Sequence, residues 1–172
     1  MNTLDGWGNF YLIVGGSAGA LIGLQFVVLT LIAQTPLPKR MAQAGAAFAT
    51  PSVVHFAVVL LLSAILSAPW HAIGIVSLFW GLVGLAGLTY AVITARRLQI
   101  QTVYRPVFED WLFHAALPLT AYAMLTTAAI VVRSYTRASL FAVGASTLVL
   151  QFTAISRGRR TAFDAYLSGA VG

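Results

Sequence analysis

The sequence predicts an all-α fold, an integral membrane bundle of five transmembrane helices, and three observations carry that prediction. Of the 172 residues 59% are hydrophobic and 8% are charged, with mean hydropathy +0.88; a soluble domain carries roughly a quarter of its residues charged. The apolar residues fall into five stretches close to the length of about 20 residues that a helix needs to cross a bilayer. The basic residues collect in alternate connections between those stretches. Such a length suits one transmembrane domain over 1–172. The absence of cysteine removes disulfides, thiolate metal sites and cysteine nucleophiles together.

The spans follow in order. Span one covers about 10–33 and is followed by Pro36 and Pro38, which mark a turn. Span two covers about 50–68. It opens on Thr50-Pro51-Ser52, where Thr reads as the N-cap and Pro as the first helical residue, whose missing N–H costs nothing there. Span three covers about 73–95, and residues 98–108 read as an interfacial segment before span four at about 110–132. Span five, about 138–155, is the shortest, and the alternative to five spans is four plus an interfacial helix.

Charge orients the map. Lys39 and Arg40 lie between spans one and two, Arg96, Arg97 and Arg105 between three and four, and Arg157, Arg159 and Arg160 in the tail. The opposite side holds only Arg133 and Arg137. Basic loops stay in the cytoplasm, so the N-terminus is expected outside and the C-terminus inside a cell (inner) membrane. The N-terminal segment has Asp5 and no Lys or Arg, so it lacks the positive start of a secretory signal. The net charge of +6 suits anionic lipid and not nucleic acid, because no basic patch is interleaved with aromatics. Trp7, Trp70, Trp80 and Trp111, with Tyr11, Tyr90 and Tyr104, fall mostly near span ends, as in an interfacial aromatic belt.

Gly15, Gly19 and Gly23 recur every four residues in span one, with Gly16 and Ala20 beside them; Gly74, Gly81, Gly84 and Gly87 give span three a looser version. Lipid provides no hydrophobic drive between helices, so such small residues mark close packing, either within one chain or between copies in a homo-oligomer.

Polar groups at membrane depth are costly and point to function. Span two carries Ser52, His55 and Ser63 on one side, and span four carries Asp110, His114, Pro118, Tyr122 and Thr126 at intervals of four. Gln25 belongs to span one, and Thr147 and Gln151 to span five. On the predicted topology Gln25, His55, His114 and Gln151 all fall in the cytoplasmic half, where with Asp110 they could form a pore-lining or polar cluster. Pro118 lacks the N–H that would bond the His114 carbonyl, so it predicts a kink beside an imidazole. Glu109 and Asp110 suit the positive end of a helix dipole, and equally a charged cytoplasmic mouth.

Three functions compete. An oligomeric channel or transporter-like protein would pass an ion, a proton or a small solute, with His55 and His114 as proton-responsive groups, since histidine titrates near physiological pH. A structural or accessory subunit of a larger membrane complex would use the glycine seams for docking. A membrane-embedded metal or haem site would draw on His55, His114, Asp110 and Glu109, which offer imidazole and carboxylate ligands, although no HExxH or paired ExxH pattern is present. The cofactor is unassigned, and enzyme activity is not favoured because neither His55 nor His114 has a convincing nucleophile at readable spacing. The stretches FYLIVGGSAGALIGLQFVVLTLIA (Phe10–Ala33) and ATPSVVHFAVVLLLSA (Ala49–Ala64) resemble small bacterial multi-spanning membrane proteins of uncharacterised activity. That resemblance covers the first two spans and implies a bacterial inner-membrane setting.

Overall fold

The computed structural model describes residues 4, 6–34, 39–70, 72–100 and 111–170, leaving aside the side chains of 32–33, 39–51, 97–100, 114 and 157–170. Glu109, Asp110, Pro36, Pro38 and the expected interfacial segment from residue 101 onward therefore lie outside the described residues, as does the His114 side chain. The described residues form an all-α chain of α1 (Gly8–Gln34), α2 (Lys39–Ser67), α3 (Ile73–Ile100), α4 (Leu117–Val131) and α5 (Thr136–Ala170). A π-turn, Leu112–Ala116, runs directly into α4.

Three stretches, Gly8–Leu31, Ile73–Arg96 and Thr136–Ser156, are long and apolar enough to cross a membrane; Ser52–Ser67 and Leu117–Val131 are apolar but shorter. The exterior fits a lipid solvent: Leu12, Ile13 and Ile130 are each 70% or more exposed, an outward apolar surface that a water-soluble monomer does not carry.

Three boundaries differ from expectation. Thr50 and Pro51 do not start α2, which runs unbroken from Lys39. A proline inside a membrane helix removes one backbone bond, and neighbouring helices make the gap tolerable. The helix of span five runs past the expected end: α5 continues to Ala170, while its stretch apolar enough to cross a membrane is Thr136–Ser156. Its helix continues through the arginine-rich tail because nothing there is Pro and the single Gly158 is not enough to end it. Ahead of Pro118 the helix widens, and the Leu117 amide bonds the Leu112 carbonyl five residues back. That widening eases the clash between the proline ring and the carbonyl one turn before it.

The helices pack in the spatial order α1–α2–α5–α4–α3, with lighter contacts from α2 to α3 and from α1 to α5. Among the three long apolar stretches, 56% of the α5 stretch is buried, against 33% in α3 and 17% in α1. So α5 stands inside and α1 is peripheral. Contacts between α1 and α5 repeat at one offset: Trp7 meets Phe141, Phe10 meets Gly144, and Ser17 meets Gln151. Each pair is 134 residues apart, so the two helices run parallel in a fixed register.

Glycine sets the closest approaches. In α3, Gly81, Gly84 and Gly87 lie against Ala129, Thr126 and Tyr122 of α4, and a Cβ on Gly84 would stand 2.6 Å from the Thr126 hydroxyl oxygen. Gly15 meets Ser63 of α2, where a Cβ would come within 2.8 Å. Gly16, Gly19 and Gly23 meet nothing within 4 Å. The span-one ridge thus divides, with Gly15 packing internally and the other three facing outward.

Two belt residues are core residues instead. Trp80 and Tyr11 are fully buried, and Trp80 is the largest buried side chain among the described residues. Trp7 and Trp70 keep partly exposed positions, and both lie at the end of the bundle where α1 and α3 begin.

Gly84→Ala is expected to destabilise the protein by about 1–3 kcal/mol through overpacking. Gly19→Ala, at an open helical position, is expected to be neutral or stabilising by about 0.5–1 kcal/mol. Reversible unfolding in mixed detergent micelles measures both, and equal effects would contradict the division of the glycines.

Candidate functional site

Most hydroxyls at depth are used up by their own helices. Thr126 bonds the Tyr122 carbonyl, Ser146 that of Ala142, Thr147 that of Gly144 and Thr153 that of Val149, all at 2.7–3.0 Å. Back-bonding of this kind satisfies the hydroxyl locally. It removes Thr126 and Thr147 from the candidates and leaves two inter-helix pairs.

The first pair is His55 with Tyr122. The imidazole is 1% exposed and the tyrosine fully buried; His55 Nδ1 and the Tyr122 hydroxyl are 3.0 Å apart. Tyr90 of α3 stands edge-on to the imidazole, with ring centroids 6.1 Å apart. Three helices therefore converge on one imidazole. Gly87 explains the placement: the Tyr122 ring occupies the space where a Cβ of Gly87 would be. The ring can lie against the α3 backbone because position 87 has no side chain. Pro118, buried, sits one turn before Tyr122, and the π-turn that holds His114 comes just before Pro118.

The bond runs in either direction. With Nδ1 unprotonated, the tyrosine O–H donates to it; with Nδ1 protonated, the imidazole N–H donates to the phenolic oxygen. A proton arriving at His55 therefore reverses the bond without moving either ring.

The second pair is Gln151 with Ser17. Gln151 Nε2 donates to Ser17 Oγ at 2.7 Å, and Ser17 donates onward to the Val14 carbonyl at 2.9 Å. Ser17 is ten residues into Gly8–Leu31, so the fixed register stands Gln151 slightly before the middle of α1. The expected position nearer the C-terminal end assumed that α5 stopped at about 155. Gln151 Oε1 has no partner.

Gln25 lies inward on α1, and its Oε1 is buried without a partner. With Gly15 opposite Ser63 in an antiparallel pair, ten further residues of α1 bring Gln25 level with residues 52–53 of α2. Ser52, 1% exposed, also has an unpartnered hydroxyl. Gln25, Ser52 and His55 thus share a depth, one turn or less apart along α2.

Of the predicted cluster, His55 and Gln25 lie at one level, Gln151 stands higher in its own pair, and Asp110 and the His114 side chain lie outside the described residues. Among the described residues no three His, Cys, Asp or Glu side chains come together. Sequence reading did not single out Tyr90, Ser17 or Gly87 as site residues. Tyr90 was legible only as an aromatic near a span end, whereas Tyr122 stood on the four-residue stripe of span four and Gly87 on the span-three glycines.

No protein-family model, curated protein or solved structure matches the chain.

Tyr122→Phe removes the inter-helix bond and is expected to cost about 0.5–1.5 kcal/mol of stability. Gly87→Ala displaces the whole ring and is expected to cost more. Unfolding of the two variants side by side tests this; a larger loss for Tyr122→Phe would contradict the role given to Gly87.

Proposed function

We propose that the chain is a five-span protein of a bacterial inner membrane, N-terminus outside and C-terminus cytoplasmic, acting as an oligomeric, proton-responsive channel or transporter. One observation carries this reading: a fully buried imidazole, His55, bonded to the Tyr122 hydroxyl at 3.0 Å inside an apolar bundle. An ionisable group at such depth is costly and is kept where protons or ions are handled. Among the described residues, the titratable groups facing it include Tyr122 from α4 and Tyr90 from α3.

The span count is supported by helix length. α2 has 29 residues, about 44 Å at 1.5 Å per residue, although its strongly apolar part is shorter. The helical run into Val131 begins at Trp111, ahead of the π-turn. The orientation is supported by the eight basic residues on one side against two on the other.

Toward the C-terminal ends of α2 and α4 the core closes on Leu62, Leu66, Leu125 and Val132, with Trp80 of α3. Passage past His55 therefore requires α4 to shift or a route between chains. The π-turn and Pro118 give α4 a built-in irregularity, of the kind found at functional positions. Rearrangement there would free the His55–Tyr122 bond.

A second reading, an accessory subunit, is favoured by the outward Gly16, Gly19 and Gly23 of α1, whose stretch is 17% buried. These glycines leave room for a neighbouring helix that the chain itself does not supply.

Reconstituted protein is expected to carry a pH-dependent proton or cation flux that His55→Ala abolishes and that Tyr122→Phe shifts along the pH axis. Wild-type liposomes without flux at any pH would favour the accessory reading. Topology has its own test. Because the chain has no cysteine, a single introduced thiol is unique. Ser134→Cys is expected to react with an impermeant maleimide from outside intact cells, and Arg105→Cys only after lysis. The reverse pattern would invert the orientation.

A further inference from the structure

At the end of the bundle where α3 and α5 begin, the turn from α4 to α5 forms a shallow groove of about 520 Å³ lined by Ser134, Tyr135, Arg137 and Phe141 among others. Arg137 and Tyr135 are exposed, and so is Arg133 next to them in sequence. The Arg133 guanidinium reaches over the first turn of α3, 3.8 Å from where a Cβ of Gly74 would stand. Neither arginine has a carboxylate partner among the described residues. The first turns of α3 and α5 contain no acidic residue, so the two guanidinium groups sit beside two positive helix ends that carry no acid of their own. Arg137 lines the groove at the start of α5 and Arg133 reaches the start of α3 at the same end of the bundle, and the sequence assigns this side of the membrane a single acid, Asp5.

We infer that this groove binds the phosphate headgroup of an anionic glycerophospholipid of the outer leaflet. The charge is complementary, and arginine's planar fork suits phosphate oxygens. The location suits a lipid better than a soluble anion. Trp7 and Trp70 stand at this end of the bundle, Tyr135 is 67% exposed beside the groove, and such rings settle at the headgroup level. Phe141, in the groove lining, is 59% exposed, an apolar surface for an acyl chain. The predicted topology assigns the other eight basic residues to the opposite side, so these two arginines are an exception to the charge asymmetry that retention of a lipid explains. The inference is independent of any flux through the bundle.

Native mass spectrometry of the purified full chain tests it. Protein in mild detergent is exposed to phosphatidylglycerol or, separately, phosphatidylcholine. Wild type is expected to retain phosphatidylglycerol over phosphatidylcholine. The double variant Arg133→Gln with Arg137→Gln is expected to lose roughly tenfold or more of that retention, at about one elementary interaction per basic residue. Double replacement by Lys, which keeps the charge, is expected to restore part of it, and Arg96→Gln at the opposite end leaves it unchanged. Equal retention of the two lipids would overturn the inference, as would wild-type retention by the double Gln variant. So would displacement of the lipid by millimolar inorganic phosphate, which would make the ligand a free anion.

Discussion

The approach of α3 to α4 is the contact on which the rest of the structure depends. Lipid tails are as apolar as the helices they surround, so membrane helices associate through close packing and internal polar bonds rather than by escaping water. Gly81, Gly84 and Gly87 let α4 come onto the α3 backbone, and Gly87 admits the ring of Tyr122. Only with that ring laid down does its hydroxyl reach His55 on α2. A packing device on one helix thereby places a polar bond between two others. On another side α4 packs against α5.

The polar atoms then divide into two populations. Ser and Thr hydroxyls along α4 and α5 bond carbonyls of their own helices, so they cost little and say little. The oxygens of Gln25, Gln151, Ser52 and Ser63 are buried and unpartnered, and each such group costs about 1–3 kcal/mol. They concentrate on α1, α2 and α5 and not along the glycine-sealed α3–α4 contact, although Trp80 of α3 keeps an unpartnered indole N–H. The α1 side of the bundle is therefore the polar and loosely satisfied side. It is also the side with the least burial, where water or a neighbouring chain has access. The α3–α4 side is the closely packed one.

Composition alone made the helical, lipid-suited character legible, because a chain with 8% charged residues has no other solvent. The four-residue stripe in span four made Tyr122 visible, and the rarity of polar residues in span two made His55 visible. Helix ends were not legible. Thr50-Pro51 has the chemistry of a helix start, yet tertiary packing carries α2 through it; the arginines after residue 156 read as a tail, yet nothing in them stops a helix. Burial within the bundle was hidden as well. Trp80 and Tyr11 look like belt residues by position along the chain, and only the rotation of each helix about its axis decides whether an aromatic faces the headgroups or the core. The pairing of Gln151 with Ser17, 134 residues apart, depends on the α1–α5 register, which no local pattern encodes.

The glycines of α1 carry the last step. A helical glycine costs roughly 0.5–1 kcal/mol relative to alanine. At Gly15, Gly84 and Gly87 the cost is offset, since a Cβ would strike Ser63, Thr126 or Tyr122. At Gly16, Gly19 and Gly23 a Cβ would meet no other helix among the described residues within 4 Å, so the described packing gives no return for it. Exposed stretches of α3 and α5 show no such pattern, presenting Leu78, Leu82, Leu85 and Phe152 outward, large side chains that suit lipid. The contrast separates two kinds of exterior on the same molecule: one dressed for acyl chains, and one left bare at the spacing by which membrane helices meet. It supports assembly through α1, which would bring the loosely satisfied polar side of each chain to the contact between copies.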